Sequence, residues 1–276
     1  MPVFTNVSAY KFVPLGDLKE LRTALRQRCV QAGMRGTILL SPEGINVFIA
    51  AETSAADAFL DYLRTIPGLA DLAAKISQSD HQPFNRMLVK IKKEIIAFGV
   101  SGIDPGCNPA PRVSPKKLKE WLDQGRSVTL LDARNDYEVK LGTFRGACTL
   151  RLDHFREFPM AAASLPGHLK EQPVVTFCTG GIRCEKAAPL LQRAGFTQVF
   201  QLDGGILRYF AECGGEHFDG DCFVFDKRVA LNASLRETGA ALCFVCQAPL
   251  TTAEQKDPRY VKSISCPYCH KQAEIH

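Results

Sequence analysis

Cys178 is the residue of this sequence most suited to covalent chemistry. It follows the strand-like run 174–177, and a helical stretch begins at Cys184. Two glycines in the intervening loop let successive backbone N–H groups face one point, where the following helix N-terminus also favours negative charge. A thiolate held there has a lowered pKa and is a better nucleophile at neutral pH. The predicted active-site loop consists of Cys178, Thr179, Gly180, Gly181, Ile182 and Arg183, in which Cys178 is the nucleophile and Arg183 can bind an oxyanion.

A second cysteine, Cys184, lies six residues after Cys178. Two interpretations of it are open. It is either a buried thiol at the start of a helix or a resolving thiol, which would trap an oxidised Cys178 as a disulfide.

Four further cysteines form two Cys-x-x-Cys pairs near the end of the chain, Cys243 with Cys246 and Cys266 with Cys269. This spacing is typical of zinc ribbons. Four thiolates around one tetrahedral ion form a closed structural site, so we expect zinc here. The alternative is a set of reduced thiols without a metal. Zinc with four thiolates carries a net charge of −2, which makes this site by itself a poor RNA contact.

The segment that carries Cys178 has the pattern of an α/β domain. Residues 128–132, 174–178 and 199–202 are apolar runs rich in β-branched residues, as in buried parallel strands. Helices are predicted over 114–124 and 184–194, and Pro189 predicts a kink or a late start in the second. The α/β domain is expected over residues 112–217, with Cys178 beyond the carboxyl end of a strand, where sites of such sheets usually lie.

Residues 1–98 predict a different fold. Strands are expected at 4–13, 37–40, 45–50 and 88–98, and two helices are expected with Asp17 and Ser54 as N-caps. The order β-α-β-β-α-β is that of ferredoxin-like, or acylphosphatase-like, domains. Residues 99–111 are a proline- and glycine-rich linker, and 218–276 form a short zinc-ribbon-like segment. The fold class is therefore multidomain, α/β together with α+β.

The composition excludes several classes of protein. The 276 residues are 46% hydrophobic and 23% charged, which excludes collagen-like, coiled-coil and fully disordered chains. No apolar run is long enough for a membrane span, and the N-terminus does not resemble a secretory signal, so we expect a cytoplasmic protein. Eleven cysteines, an odd number, do not indicate a disulfide framework. The net charge of +5 permits an anionic partner without arguing for one.

The α/β segment resembles rhodanese domains. Residues 178–183 resemble their active-site loop, and Asp132 and Arg134 match the Asp-x-Arg strand end that supports this loop in the family. Residues 141–147 and 202–206 resemble two further rhodanese segments, with Thr143 where histidine is common. Protein phosphatases of related fold have five residues between cysteine and arginine, whereas this loop has four. The resemblance therefore implies a pocket for sulfur or oxygen chemistry rather than for phosphate.

The whole chain is similar to the tRNA uridine(34) hydroxylases. The similarity is carried by residues 36–40, 43–46, 89–95, 178–186 and 222–229. It implies O2-dependent hydroxylation at C5 of uridine 34 in the tRNA anticodon loop, with Cys178 as the essential thiolate and O2 as co-substrate. No flavin or nicotinamide is expected, since the sequence lacks a Gly-x-Gly-x-x-Gly loop. No membrane and no obligate protein partner is inferred.

The Cys178 thiolate has the chemical properties that hydroxylation of uracil at C5 requires. A thiolate that adds to C6 of uracil makes an enolate with a nucleophilic C5, which Cys178 could supply. The alternative enzyme is a rhodanese-type sulfurtransferase with a persulfide on Cys178, and a third class is a non-catalytic module that binds RNA or protein.

If RNA is the substrate, candidate contacts near the last predicted strand of the first domain are Arg86, Lys90, Lys92 and Lys93. The alternative role of these four charged side chains is to protect a solvated edge strand from pairing with another chain.

Overall fold

The computed structural model describes residues 3–270. The chain divides into two compact units, residues 1–110 and 111–276. The finer division at 98/99 and at 217/218 stays a prediction. Within residues 3–270, no helix has the length and apolar character that a membrane span requires.

The first unit is a five-stranded sheet with two helices. Its elements are β1 (Phe4–Phe12), α1 (Leu18–Gln31), β2 (Arg35–Ser41), β3 (Gly44–Glu52), α2 (Thr53–Thr65), β4 (Ala74–Ser79) and β5 (Met87–Ile91). The strand order is β4-β1-β3-β2-β5, in which only the β2–β5 pair is parallel. Alternate strand residues such as Val7, Val47 and Ile49 share one core with Leu25 of α1 and Phe59 of α2. The predicted ferredoxin-like domain is confirmed.

Several boundaries of this domain differ from the prediction. The strand that completes the β-α-β-β-α-β pattern is β4, whose polar sequence Ala-Lys-Ile-Ser-Gln-Ser hides it from a search for apolar runs. The strand predicted at 88–98 is the additional edge strand β5 and ends at Ile91. Asp17 stands at the N-cap of α1 in a left-handed conformation, φ 42°, and its side chain makes no cap hydrogen bond. Ser54 lies inside α2, whose N-cap position is Glu52.

The residues after β5 are fastened to the β2–β3 turn. The Ile95 N–H donates to Glu43 Oε1 at 2.7 Å, and Asn46 Nδ2 donates to the Ile95 carbonyl at 3.1 Å. Ile95 is fully buried. Two of the segments that carried the family resemblance, 43–46 and 89–95, therefore bind each other and have a structural role in this unit.

The second unit contains a five-stranded parallel sheet. Its elements are β6 (Arg112–Val113), α3 (Pro115–Asp123), β7 (Thr129–Asp132), α4 (Asp136–Val139), β8 (Gly142–Phe144), β9 (Cys148–Thr149), α5 (Phe158–Ala163), β10 (Pro173–Phe177), α6 (Cys184–Arg193), β11 (Gln198–Leu202) and α7 (Gly205–Cys213). The strand order is β6-β11-β10-β7-β9, so β10 is central. Helices α3 and α7 pack together, as do α5 and α6. The predicted parallel α/β domain is confirmed.

Helices α3 and α6 of this unit were both predicted from the sequence. Ser114 caps α3, because its hydroxyl oxygen accepts a hydrogen bond from the Lys117 N–H. Helix α6 begins at Cys184, so Pro189 lies in its second turn rather than its first.

Short hairpins follow the parallel sheet. Strand β12 (Phe218–Gly220) pairs with β8, β13 (Cys222–Phe223) pairs with β14 (Ala230–Leu231), and β15 (Ala241–Leu242) pairs with β16 (Pro249–Leu250). Phe218 and Cys222 belong to the core of the parallel-sheet domain. The segment from Phe218 onward therefore packs, at its start, onto the α/β domain.

Candidate active site

The sulfur of Cys178 lies at the end of the central strand, inside the loop that leads to α6. The Gly181 N–H donates a hydrogen bond to Cys178 Sγ at 3.1 Å. This needs the turned backbone of Gly181, whose φ of +96° is a conformation that favours glycine. Cys178 is only 1% exposed. The loop is therefore a nest of backbone donors around a buried sulfur, as the glycine pair predicted.

The surroundings of Cys178 favour the thiolate. Burial by itself raises the pKa of the thiol, but a hydrogen bond from Cys184, the charge of Arg183 and backbone N–H groups of Arg183 and Gly181 outweigh it. Together they lower the pKa of Cys178 to about 6. At neutral pH the sulfur is therefore charged and nucleophilic.

Cys184 lies in the first turn of α6, within hydrogen-bond contact of Cys178. It is fully buried, and burial together with the neighbouring Cys178 sulfur raises its own pKa. Cys184 is therefore the protonated member of the pair and Cys178 the thiolate. Both interpretations of Cys184 stay open, since the thiol is buried and also faces the reactive sulfur.

The guanidinium of Arg183 is held by a carboxylate. Its two terminal nitrogens donate to the two oxygens of Glu138 at 2.6 and 2.7 Å, and both side chains are buried. Glu138 also accepts a hydrogen bond from the Asn135 N–H at the start of α4, so α4 fixes the ion pair in place. Because Glu138 occupies this fork, Arg183 acts on Cys178 through its charge. Glu138 was not among the site residues predicted from the sequence.

A second buried ion pair lies under the loop, on the strand next to β10. Asp132 ends β7 and accepts hydrogen bonds from Arg134 at 2.9 and 2.6 Å and from the Thr143 hydroxyl at 2.8 Å. Arg134 also donates to the Gly142 carbonyl, and its Nη1 is buried without a hydrogen-bond partner among residues 3–270. Asp132 and Arg134 thus connect β7 with β8 beside the loop, and their support of the reactive loop itself stays a prediction.

The N-terminus of α7 holds the loop from the other side. The N–H groups of Ile206 and Leu207 donate to the carbonyls of Cys178 and Thr179 at 3.0 and 3.1 Å. Gly205 has a φ of +67°, and a Cβ on it would lie 2.4 Å from the Cys178 carbonyl oxygen. Only glycine fits at this position, which gives the Gly-Gly pair after β11 its physical reason.

An aromatic side chain lies beside the site and was given no role from the sequence. Phe225 is 47% exposed, and its ring centre is 5.5 Å from the guanidinium carbon of Arg183. Its neighbour Phe223 packs on it edge to face, and the Phe223 carbonyl accepts a hydrogen bond from the Thr179 hydroxyl. An exposed ring next to a reactive loop is a stacking surface for a planar ligand. The sequence signal was weak, because nothing in the run 222–226 distinguishes an outward Phe from a buried one.

The four C-terminal cysteines come together as the spacing predicted. The sulfurs of Cys243 and Cys269 are 4.0 Å apart, those of Cys246 and Cys266 are 3.5 Å apart, and those of Cys266 and Cys269 are 3.6 Å apart. All four sulfurs lie within 4.8 Å of one another. Thiolates at tetrahedral corners about 2.3 Å from an ion would be about 3.8 Å apart. The cluster is thus able to bind a metal ion.

The four basic candidates for RNA binding are exposed but only partly in a strand. Lys90 lies in β5, Arg86 precedes it, and Lys92 and Lys93 follow its end. The strand was predicted to run from 88 to 98, but β5 ends at Ile91, so Lys92 and Lys93 lie outside it. As β5 is an edge strand, the protective role of these residues is also open.

Comparisons with known proteins agree with this architecture. Residues 4–95 match a family model described as UPF0176 acylphosphatase like domain, and residues 114–212 match a rhodanese-like domain. A tRNA uridine(34) hydroxylase from Cupriavidus necator is 52% identical over 269 residues, with 96% of this chain and 95% of that protein covered. The chain belongs to the tRNA uridine(34) hydroxylase family. A second family member, from Ralstonia nicotianae, is 50% identical over 96% of this chain and 95% of its own length.

The family assignment covers both units. One solved structure, a rhodanese-like domain from Anabaena, is 27% identical with a TM-score of 0.34 and covers 40% of this chain and 79% of its own. In this member of the tRNA uridine(34) hydroxylase family, the buried thiolate, its neighbouring thiol and the two ion pairs all lie in the rhodanese-like domain.

Proposed function

We propose that this protein hydroxylates uridine 34 of tRNA at C5, using O2 and the Cys178 thiolate. The observation that carries the proposal is the charged, nearly inaccessible sulfur at the N-terminus of α6, in a chain about half identical to named tRNA uridine(34) hydroxylases over almost its full length. It is an oxidoreductase, and because its substrate is tRNA, we place the reaction in the cytoplasm.

The first step uses Cys178 as a nucleophile. The thiolate adds to C6 of the uracil, which pushes an electron pair towards the C4 carbonyl and makes C5 nucleophilic. Before this attack, the N–H of Gly181 and the charge of Arg183 stabilise the negative charge on the sulfur. C5 reacts with O2 to form a hydroperoxide.

The two cysteines supply the electrons that the second oxygen atom needs. Cys184 takes the outer oxygen of the hydroperoxide as a sulfenic acid and leaves a hydroxyl on C5. Loss of the C5 proton and of Cys178 from C6 restores the aromatic ring. Cys178 then displaces water from the sulfenic acid, so that uridine, O2 and two thiols give 5-hydroxyuridine, one water and a Cys178–Cys184 disulfide. A cellular thiol reduces this disulfide for the next turnover.

The target base must leave its stack to reach Cys178. Bases of the anticodon loop are already single-stranded, which makes this inexpensive, so we take the anticodon loop as the partner. Phe225, exposed beside Arg183, offers a ring on which the displaced uracil or its neighbour stacks. Arg86, Lys90, Lys92 and Lys93 remain candidate contacts to the RNA backbone.

Zinc is the metal that we propose for the C-terminal cluster. Four sulfurs at near-tetrahedral separations suit zinc, and Cys243, Cys246, Cys266 and Cys269 would hold it. A closed four-thiolate site stabilises its segment and leaves no position for substrate. Elemental analysis of the purified protein should find one zinc per chain, absent from Cys266→Ser; wild type purified with folded structure but without metal would refute this assignment.

Nucleoside analysis tests the main proposal. tRNA from cells that lack the gene is digested and analysed by mass spectrometry, with the gene restored as wild type or as Cys178→Ala. We expect 5-hydroxyuridine to be lost and to return only with wild type, and to carry the heavy isotope when 18O2 is supplied. A change in a thiolated nucleoside instead, together with thiosulfate:cyanide activity, would favour the sulfurtransferase.

A further inference from the structure

A groove runs along the first unit between helix α1 and the edge strand β5. Its volume is about 640 Å³. Arg22, Arg26 and Gln27 of α1 line one side, and residues 87–89 of β5 line the other. No Asp or Glu is among its lining residues. The groove was not anticipated from the sequence, which predicted α1 only as a helix that begins at Asp17.

The charge of this groove is not neutralised by the protein. Arg22 and Arg26 lie one helical turn apart, both are exposed, and neither forms an ion pair with any residue between 3 and 270. Two other arginines of the unit do have partners. Arg64 pairs with Asp61, and Arg28, on the opposite side of α1, stacks on the ring of Tyr62 at 3.8 Å. Two unpaired guanidinium groups on one face favour an anionic ligand.

The floor of the groove is apolar and partly backbone. Val30 is 59% exposed there, although its neighbour in the helix, Cys29, is fully buried. β5 hydrogen-bonds to β2 along one edge and is last in the strand order, so its outer edge carries N–H groups that no strand of the described chain accepts. A ligand that suits all three features has closely spaced negative charges, hydrogen-bond acceptors and apolar faces, which is the chemistry of a polynucleotide.

We propose that the groove between α1 and β5 binds the sugar-phosphate backbone of the tRNA, as a contact separate from the nucleotide that reacts. The inference rests on the proposed function for the identity of the RNA. Arg22 and Arg26 contact phosphates, and Val30 with residues 87–89 contacts sugar or base. An acidic protein segment fits the arginines but gives no reason for the exposed apolar floor beside them.

Salt dependence of binding tests this proposal. The double variant Arg22→Gln/Arg26→Gln is compared with the matched control Arg28→Gln/Arg64→Gln, which loses the same charge from the same unit outside the groove. Binding of a labelled tRNA transcript is measured by fluorescence anisotropy over a series of salt concentrations. Each lost phosphate contact lowers the slope of log K against log salt by about 0.7 to 0.9, so we expect a decrease of about 1.5 in the groove variant and little change in the control.

Kinetics separate binding from chemistry. In the groove variant KM for tRNA should rise while kcat at saturating tRNA stays that of wild type, because neither arginine belongs to the reactive loop. Arg22→Lys/Arg26→Lys keeps the charge and should retain most of the affinity, and circular dichroism with thermal melting confirms that each variant is folded.

Two results would overturn the inference. Groove and control variants with equal salt slopes would show that the arginines do not contact phosphate. A lower kcat with unchanged KM in the groove variant would show that the two arginines have a structural role instead. Failure of the proposed function is distinct from both, since wild type would then bind tRNA without making 5-hydroxyuridine.

Discussion

Replacement of Cys184 separates its effect on the pKa of Cys178 from its redox role. Cys184→Ala removes the hydrogen bond that does most to lower the pKa of Cys178. A hydrogen bond to a charged group is worth about 1.5 to 3 kcal/mol, and one pKa unit corresponds to about 1.4 kcal/mol. The pKa of Cys178 should therefore rise from about 6 by roughly one to two units.

The expected loss depends on pH in a direction that the pKa fixes. In wild type about 90% of Cys178 is thiolate at pH 7, and activity falls as the pH drops through about 6, where the thiolate is protonated. In Cys184→Ala the thiolate fraction at pH 7 becomes about 50% to 10%, a decrease of roughly two- to ninefold. Above about pH 9 both proteins are fully ionised and the difference should vanish.

The assay is the rate of alkylation of Cys178 by iodoacetamide, followed by peptide mass spectrometry across the pH range. Cys184→Ser is the control, since its hydroxyl keeps a hydrogen-bond donor but cannot form a disulfide. It should keep the low pKa while losing repeated turnover of tRNA under air. An alkylation profile of Cys184→Ala that superimposes on wild type would refute the assigned cause of the low pKa. Multiple turnovers by Cys184→Ser would refute the resolving role.

Three further changes test the surroundings of the loop. Glu138→Gln leaves the buried charge of Arg183 without its partner and should lower the free energy of unfolding by about 3 to 5 kcal/mol, measured by urea denaturation; an unchanged midpoint would contradict the pairing. Gly205→Ala places a methyl group against the Cys178 carbonyl, so the fraction of this variant that folds should have no hydroxylase activity. Full activity by nucleoside analysis would show that the α7 contact is dispensable. Loss of about 1 to 3 kcal/mol of stacking in Phe225→Ala should raise KM for tRNA by about 5- to 150-fold, while Phe225→Tyr keeps the KM of wild type. Equal KM values for all three proteins in steady-state assays would remove Phe225 from the site.

The reactive loop was predictable from sequence because its determinants are local. Ten residues around Cys178 contain the strand end, the two glycines and the helix start. The hydrogen bond from Gly181 to the Cys178 sulfur forms within this same stretch. The four cysteines that can bind a metal were likewise predictable, because Cys-x-x-Cys spacing allows two ligands from each turn.

What the sequence did not reveal depends on contacts between distant segments. Glu138 binds Arg183 across 45 positions, and Phe225 reaches the site through a hairpin that begins some 40 residues after the loop. Strand β4 was missed because an edge strand can be polar on both faces and still pair along its backbone. The groove beside α1 depends on which strand closes the sheet edge, and the position of β5 next to β2 could not be read from either segment alone.

The near-complete enclosure of Cys178 has a consequence for the catalytic cycle. Both sulfurs of the pair are shielded to the same degree, so neither the uracil nor the thiol that reduces the disulfide reaches them until the residues that cover them move aside. Each turnover needs this movement twice, once for attack on the base and once for reduction of the disulfide, so the rate of the movement would limit both halves of the cycle. Because every turnover also consumes two thiols, the abundance of the modified nucleoside would depend on the thiol status of the cell as well as on its oxygen supply.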